Sequence, residues 1–428
     1  MSIYYISCLG ADGNNGLSPA SPWRTLARLA EAVAAEMIRP GDSVLLRGGD
    51  TFQGSISWFR GGDPLLPITL SRYGSSRPTV RSGMRHGLWY SGDGGMIVRG
   101  IDFVGDATSL YGTTSGIEVS AAEGGPCRNI LIEDVSCTEY SFAGILLSTS
   151  LPLWDCSVRN CRLVRNANGL LTSAGDGSVD SRGIFGLTLS GILAEDNDWV
   201  GDGSENPIGH GISLYNVSGL SAEYCRLLRN GTRFIGNPGH SGFILYNCDH
   251  AVIRFCEAID NGDPSTWGDG QGFVVDQCQD VLIEHNFSRG NLNGGFQVMT
   301  VTPPGRSQRV TVRNCVSLDD VVGLSVYGES DDIYFLNNQV RTHSRDGVFR
   351  KCADVSPGTG DVIRFWGNRF TADDGAVLLQ VTGERGLRGV SGFPANEWVS
   401  ADPQFLANDA GYATLGELLA AVPVELSP

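Results

Sequence analysis

"GHGISLYN" (209–216) and "GHSGFILYN" (239–247) repeat one phrase: Gly-His, a short alternating apolar run, then Tyr-Asn. Gly211 and Gly242 lie 31 residues apart. Alternation with a period of two is the pattern of a strand with one buried face. A strand phrase that returns at a nearly fixed interval is the signature of a solenoid.

Working outward, two landmarks recur from residue 97 onward. The first closes an apolar strand at Ile101, Val135, Cys161, Ile192, Cys225, Cys256, Asn286, Cys315, Asn338 and Asn368. The second is a glycine that opens the next strand: Gly116, Gly144, Gly169, Gly211, Gly242, Gly272, Gly295, Gly323, Gly347 and Gly375. No amphipathic helix of useful length separates them, which argues against leucine-rich and ankyrin arrays. Few two-residue hairpin turns occur, which argues against a propeller or sandwich. The pattern predicts an all-β, single-stranded, right-handed parallel β-helix (solenoid) of about ten or more coils. Recurring Asn and Cys at one turn predict side chains laddering along the stack.

The expected organisation is an N-terminal cap over 1–60, a β-helix over 61–380 and a C-terminal cap or tail over 381–428. Ser21 as N-cap and Pro22 at the first helical position predict a capping helix over about 22–37. Thr414 followed by "LGELLAA" predicts a short terminal helix.

Composition narrows the function. The chain has 428 residues and a net charge of −16, and Lys351 is its one lysine. So acidic a chain makes a poor partner for nucleic acid or an anionic membrane surface. No apolar run reaches the length of a membrane span. Met1–Gly10 lacks the basic start and apolar run of a signal peptide. A cytoplasmic or phage-associated protein is expected, or a secreted one if a leader was removed. Eleven cysteines without a Cys-x-x-Cys zinc pattern read as buried free thiols, which fits assembly in a reducing compartment.

The segments 193–210, 226–241 and 257–271 are the longest between the landmarks, and they fall on three consecutive coils. Insertions stacked on one edge of a solenoid build a wall beside a binding face. Inward residues at odd offsets from the glycines leave Tyr215, Tyr246, Asp276 and Met299 in one outward file. His210 and His240 are placed in a common column at the mouth of this face, with Gln271 or Asp269 on the next coil. Asp202, Glu205 and Arg233 come from the long loops, as do Trp199, Trp267 and Phe234, which can stack on sugar rings or pin the loops.

Two chemistries fit. Carboxylates two coils apart are about 10 Å apart, close to the separation of about 6.5–9.5 Å that inverting glycosidases use. Asp202 with Asp269 meets this, with Asp276 on a strand as the more firmly outward acid. Asp-Gly pairs at 202–203 and 269–270 also form ordinary turns. The alternative is β-elimination or C5 epimerisation of a uronic acid, with Tyr246 or Tyr215 and His240 as base and acid. Arg233, or a Ca²⁺ ion held by Asp202, Glu205 and Asp269, would then neutralise the carboxylate. Lys351 lies several coils away, which disfavours a lysine-based lyase. The catalytic candidates are therefore His240, Asp269, Asp202, Asp276, Tyr246 and His210, and the substrate-binding candidates Tyr215, Arg233, Trp267, Trp199, Gln271 and Glu205. His86, His285 and His343 are expected to be structural, bonded to backbone carbonyls.

Family resemblance adds to this. Tyr4-Tyr5, Gly13-Asn14-Asn15-Gly16, Pro22-Trp23-Arg24-Thr25-Leu26, Pro40-Gly41-Asp42, Arg47-Gly48-Gly49, Phe52 and Gly54 resemble the N-terminal capping segment of the pectate-lyase-like right-handed β-helix superfamily, as does "PITLSRYGSSRPTV" (67–80). The resemblance implies carbohydrate processing, most often of polymers, by lyases, hydrolases, epimerases or phage depolymerases. "GHGIS" also resembles the Gly-His-Gly segment of polygalacturonase-type hydrolases, but that family's paired-Asp and Arg-x-Lys motifs are missing. The leading expectation is a glycoside hydrolase that cleaves polysaccharide in an outer groove. The rivals are a lyase or epimerase, and a non-catalytic glycan-binding or tail-spike-like protein, monomeric or homotrimeric.

Overall fold

A computed structural model describes residues 1–422 except 60–61, 107–112, 122–125, 175–181, 199–208, 233–239, 263–269, 301–304, 345–347, 359–361, 384–385 and 409. The described residues form two compact units, 1–201 with 214–221, and 202–213 with 222–428. Each is a parallel β-solenoid built of three sheets.

In the first unit, sheet I contains Ile3–Ile6, Ser43–Arg47, Ile68–Tyr73, Gly94–Arg99, Cys127–Glu133, Leu153–Arg159 and Ile184–Ser190, all paired in parallel. Sheet II runs Ile56–Phe59, Leu88–Ser91, Ser115–Ala121, Ala143–Thr149 and Asn168–Ala174. Sheet III runs through shorter strands such as Ser136–Thr138 and Arg162–Val164. The second unit repeats the plan. Its sheet II runs Ser241–Tyr246, Gln271–Asp276, Gly294–Met299, Val322–Gly328, Lys351–Pro357, Val377–Val381 and Phe405–Ala407.

The repeat positions explain the coil. Each coil turns from sheet I to sheet III through one residue in the left-handed region: Asp134 and Asn160 in the first unit, Asn314 and Asn337 in the second. Asn, Asp and Gly tolerate that conformation best. Tyr224, Phe255 and His285 adopt it as well. Their exposed rings stack at 5.5 and 5.4 Å from coil to coil, which offsets the strain.

The residue after this turn points inward and forms the expected ladder. Cys256 N–H donates to Asn286 Oδ1 (2.8 Å), Cys315 N–H to Asn338 Oδ1 (2.9 Å), and Asn338 N–H to Asn368 Oδ1 (2.9 Å). Each Asn Nδ2 donates to a carbonyl of the coil before, as Asn338 does to Val312 O. A second ladder, not foreseen from the repeat, follows sheet III. Asn230, Asn261 and Asn291 each donate their amide to the next member's side chain, and Asp320 ends the series. Buried backbone groups at both turns are thereby satisfied.

The landmark glycines have a packing reason. A Cβ on Gly211 would lie 2.6 Å from Gly242 O, and one on Gly242 would lie 2.8 Å from Gly272 O. The strand entrance closes on the next coil at these points. Register corrects the last two landmarks. Leu324 pairs with Ala353 and Ala353 with Leu379. Cys352 and Leu378 therefore continue the glycine position; Gly375 lies outside it, and Gly347 lies outside the described residues.

Two α-helices occur among the described residues. Helix α1 is Leu26–Ala34, shorter than the expected span, and its N-cap is Thr25, not Ser21. The start shifts because Trp23 is taken into strand pairing, with its amide bonded to Tyr5 O and its ring buried on Tyr4. Asp12 then accepts from the Arg24 and Thr25 amides and holds the cap. Helix α2, Leu415–Ala421, starts at Thr414 with a full capping box. All eleven cysteines are free thiols, ten of them buried and Cys8 half-buried. Burial pushes Cys161 and Cys315 up to about 12, so these thiols are unreactive.

Asp320 yields a stability prediction. Burial raises its carboxyl to about 6, against hydrogen bonds from Ser317 and Asn291 that favour ionisation. The native state therefore holds a proton that the unfolded chain gives up, and stability falls as pH rises from about 4 to about 6. The expected loss is on the order of 3 kcal/mol. Asp320→Asn, which matches the rest of its ladder, should remove that slope and raise the urea midpoint at pH 7. A midpoint unchanged at both pH 4.5 and pH 7 would contradict the assignment.

Candidate functional site

The site is built on sheet II of the second unit. Phe243, Leu245, Phe273, Val275, Phe296 and Val298 are completely buried, as the alternation predicted. The Phe273 and Phe296 rings stack at 5.1 Å, and Phe243 continues the column at 6.4 Å. This fixes which strand positions face outward. Tyr246 pairs with Asp276, Asp276 with Met299, Met299 with Tyr327 and Tyr327 with Ser356. The outward file is thus as expected for Tyr246, Asp276 and Met299, and it continues further. Beside it runs a second outward file of Ile244, Val274, Gln297, Ser325, Asp354 and Gln380.

Asp276 is almost fully buried despite facing outward. Tyr246 is half-buried, and its hydroxyl accepts from Gln277 Nε2 at 3.1 Å. Further along, Lys351 Nζ bonds Asp354 Oδ2 at 2.6 Å. The Tyr327 hydroxyl lies beside Asp354 and Ser325. Burial, then the Asp354 charge, lifts it far above the usual tyrosine range. Tyr327 is therefore a hydrogen-bond donor, not a base. Sequence reasoning missed Gln297, Ser325, Tyr327 and Asp354. The same offset count continued from Gly323 gives Ser325 and Tyr327, whereas Cys352 at the glycine position hides Asp354.

Asp276 and Asp354 are three strands apart, which puts about 14 Å between their backbones. That exceeds the separation at which two carboxylates act on one glycosidic bond. Asp354 is therefore no acid partner for Asp276, and the other candidate acids, Asp202, Glu205 and Asp269, belong to the long loops. These join sheet III to sheet II after Leu193–Glu195, Arg226–Leu228 and Glu257–Ile259. Asp202, Glu205, Asp269, Arg233, Trp199, Trp267 and Phe234 all lie outside the described residues. So does the set proposed for Ca²⁺. Among the described residues no cluster of three His, Cys, Asp or Glu could hold a metal ion. None of the helices described is long and apolar enough to cross a membrane.

The histidines are placed differently from expectation. Ser241 pairs with Gln271, and Ser241 Oγ donates to Gln271 Oε1 at 3.0 Å. His210 is level with Ser241, whose amide donates to His210 Nδ1 at 3.0 Å. His240 stands one residue out of this file, because its strand carries one extra residue between His and Gly. Both rings are buried. Burial, with His240 nearby, lowers His210 to about 3. His210 is thus a neutral ring that holds a backbone amide, and it does not act as an acid at neutral pH. Gln271 is buried in the same file. Tyr215 belongs to the first unit, where Thr172 Oγ1 bonds its amide and its carbonyl.

Among the described residues, His86, His285 and His343 show none of the expected bonds to carbonyls. His86 Nδ1 accepts from the Ser115 amide, His343 Nδ1 faces Asp319, and His285 stacks on Phe255.

The chain belongs to the right handed beta helix family, whose model matches residues 76–340. A lacto-N-biosidase of Bifidobacterium longum subsp. longum is 34% identical over 95 residues, 21% of this chain. The matched stretch spans only 6% of that protein's length. The GH136 lacto-N-biosidase from Eubacterium ramulus superposes with a TM-score of 0.58 at 14% identity, over 95% of this chain and 68% of that one. The Dettilon tailspike protein superposes with a TM-score of 0.53 at 11% identity, over 95% of this chain and 68% of that one. At these identities the superpositions establish the fold.

The depressed His210 gives a pH test. Its native value lies below that of the unfolded chain, so stability is lost as pH falls from about 6.5 towards 3. Between pH 6.5 and 5 His210 should contribute a loss of about 2 kcal/mol, opposed by Asp320, and His210→Gln should remove that contribution. An equal slope in both proteins would refute the neutral ring.

Proposed function

We propose that the protein is a polysaccharide- or oligosaccharide-degrading glycoside hydrolase whose substrate lies along the outer face of sheet II in the second unit. The observation that carries this reading is Asp276, a carboxylate on a strand, facing outward between Tyr246 and Met299. A rigid strand positions an acid better than a loop does. The flanking Tyr246 and Tyr327 rings offer surfaces for sugar faces, and Gln297, Ser325 and the Lys351–Asp354 pair offer hydroxyl contacts. Lacto-N-biosidases recur in the sequence and fold comparisons, which favours hydrolysis over elimination.

The mechanism follows from the acid pair. Asp276 supplies one carboxyl, and Asp202 from a long loop supplies the other. One protonates the glycosidic oxygen while the other attacks the anomeric carbon or activates water there. His240 and Gln271 lie behind this face and orient the loop ends rather than touch the reacting bond. Neutral Tyr327 donates to the sugar.

The test is a panel of lacto-N-biose-bearing oligosaccharides and uronic-acid polymers, with and without chelator. New reducing ends without unsaturated sugar are expected, with turnover reduced at least about a thousandfold by Asp276→Asn and by Asp202→Asn. Ultraviolet-absorbing unsaturated products would instead establish a lyase. Binding without products would establish a glycan-binding protein. Full turnover by both variants would remove this acid pair.

A further inference from the structure

The first unit holds a separate cleft that the catalytic reading does not use. It measures about 590 Å³ and lies between helix α1 and the outer face of sheet II, bordered by Leu26, Met84, Arg85, His86, Trp89 and Thr114. Leu88 and Tyr90 are buried inward, so Trp89 between them faces outward, level with Ser57 and Glu118. Its ring meets Phe59 edge-on at 5.0 Å. Its indole Nε1 is buried with no hydrogen-bond partner, so packing alone sets the ring's place.

His86 and Glu118 form the polar side of the cleft. His86 Nδ1 accepts the Ser115 amide at 3.1 Å, so that nitrogen carries no proton. Glu118 Oε2 lies 3.2 Å from the same nitrogen. Two lone pairs would oppose each other there unless the carboxyl is protonated. Burial acts in that direction on both groups, raising Glu118 and lowering His86. The Ser115 bond leaves Nε2–H as the remaining donor of the imidazole. Both side chains keep some solvent exposure.

We propose that this cleft is a second carbohydrate site that takes an uncharged sugar ring. The apolar wall of Trp89, Met84 and Leu26 suits the CH face of a pyranose, and the His86–Glu118 pair suits its hydroxyls. The Glu118 carboxyl beside His86 gives no attraction to a uronate, and Arg85 is exposed at the border of the cleft. The sugar chemistry is taken from the function proposed above, but the residues are independent of Asp276.

Calorimetric titration of the full chain with lacto-N-tetraose, cellotetraose and xylotetraose, alongside trigalacturonate, tests this. The expected result is binding of at least one neutral tetrasaccharide that persists in Asp276→Asn. That binding weakens at least tenfold in Trp89→Ala and in His86→Ala, while Trp89→Phe, which keeps an aromatic wall, retains most of it. Turnover of a short substrate stays unchanged in Trp89→Ala. If hydrolysis is absent but Trp89-dependent binding remains, the catalytic reading fails and this site stands. The site is overturned if no neutral tetrasaccharide binds or trigalacturonate binds best. It is equally overturned if Trp89→Ala binds within twofold of the native protein, or if Asp276→Asn abolishes all binding.

Discussion

Everything in this protein depends on parallel backbone pairing repeated at about 4.8 Å from coil to coil. The pairing satisfies the strands but leaves amides and carbonyls exposed at the turns inside the stack. The Asn286–Asn338–Asn368 and Asn230–Asn261–Asn291 side chains supply those missing partners. Each amide side chain both accepts and donates, so it can bond the coils on either side of it. Cys256 and Cys315 fill the same turn as small apolar plugs, with Sγ near carbonyls of the neighbouring coil. A buried Asn left without its partner would cost about 1–3 kcal/mol, so each rung depends on the next.

The same register produces the outer chemistry. A strand shifted by one residue would turn every side chain to the other face. The Phe243–Phe273–Phe296 column prevents that, and it thereby holds Tyr246, Asp276, Met299 and Tyr327 outward. Asp276 thus faces outward and is still buried.

Charge follows the stack as well. On the outer edges Arg254 bonds Glu223, Arg313 bonds Glu284 and Arg309 bonds Asp280, each across one coil. Such exposed pairs contribute little to stability individually. Their use of arginine is consistent with a planar fork that meets a carboxylate two-handed across a fixed spacing. The single lysine, Lys351, is instead held against Asp354 near the proposed substrate face.

The sequence determined the solenoid, the inward and outward parity, the buried thiols and the Cys256–Asn286–Cys315–Asn338 ladder. These are periodic features, and a period survives in one dimension. It placed Tyr246, Asp276 and Met299 correctly because they sit at fixed offsets from a glycine that a carbonyl of the next coil forces to be a glycine. Tertiary structure alone decided what breaks the period. One extra residue put His240 out of file with His210, and Cys352 replaced a glycine and hid Asp354. Trp23 was drawn into strand pairing, which moved the helix start to Thr25. The His86–Glu118 contact joins residues on different coils, and a backbone amide of the Glu118 strand, Ser115, bonds the same His86 nitrogen. Spacing fixes the periodic contacts; burial and direction fix these, and both arise only when the coils close on one another.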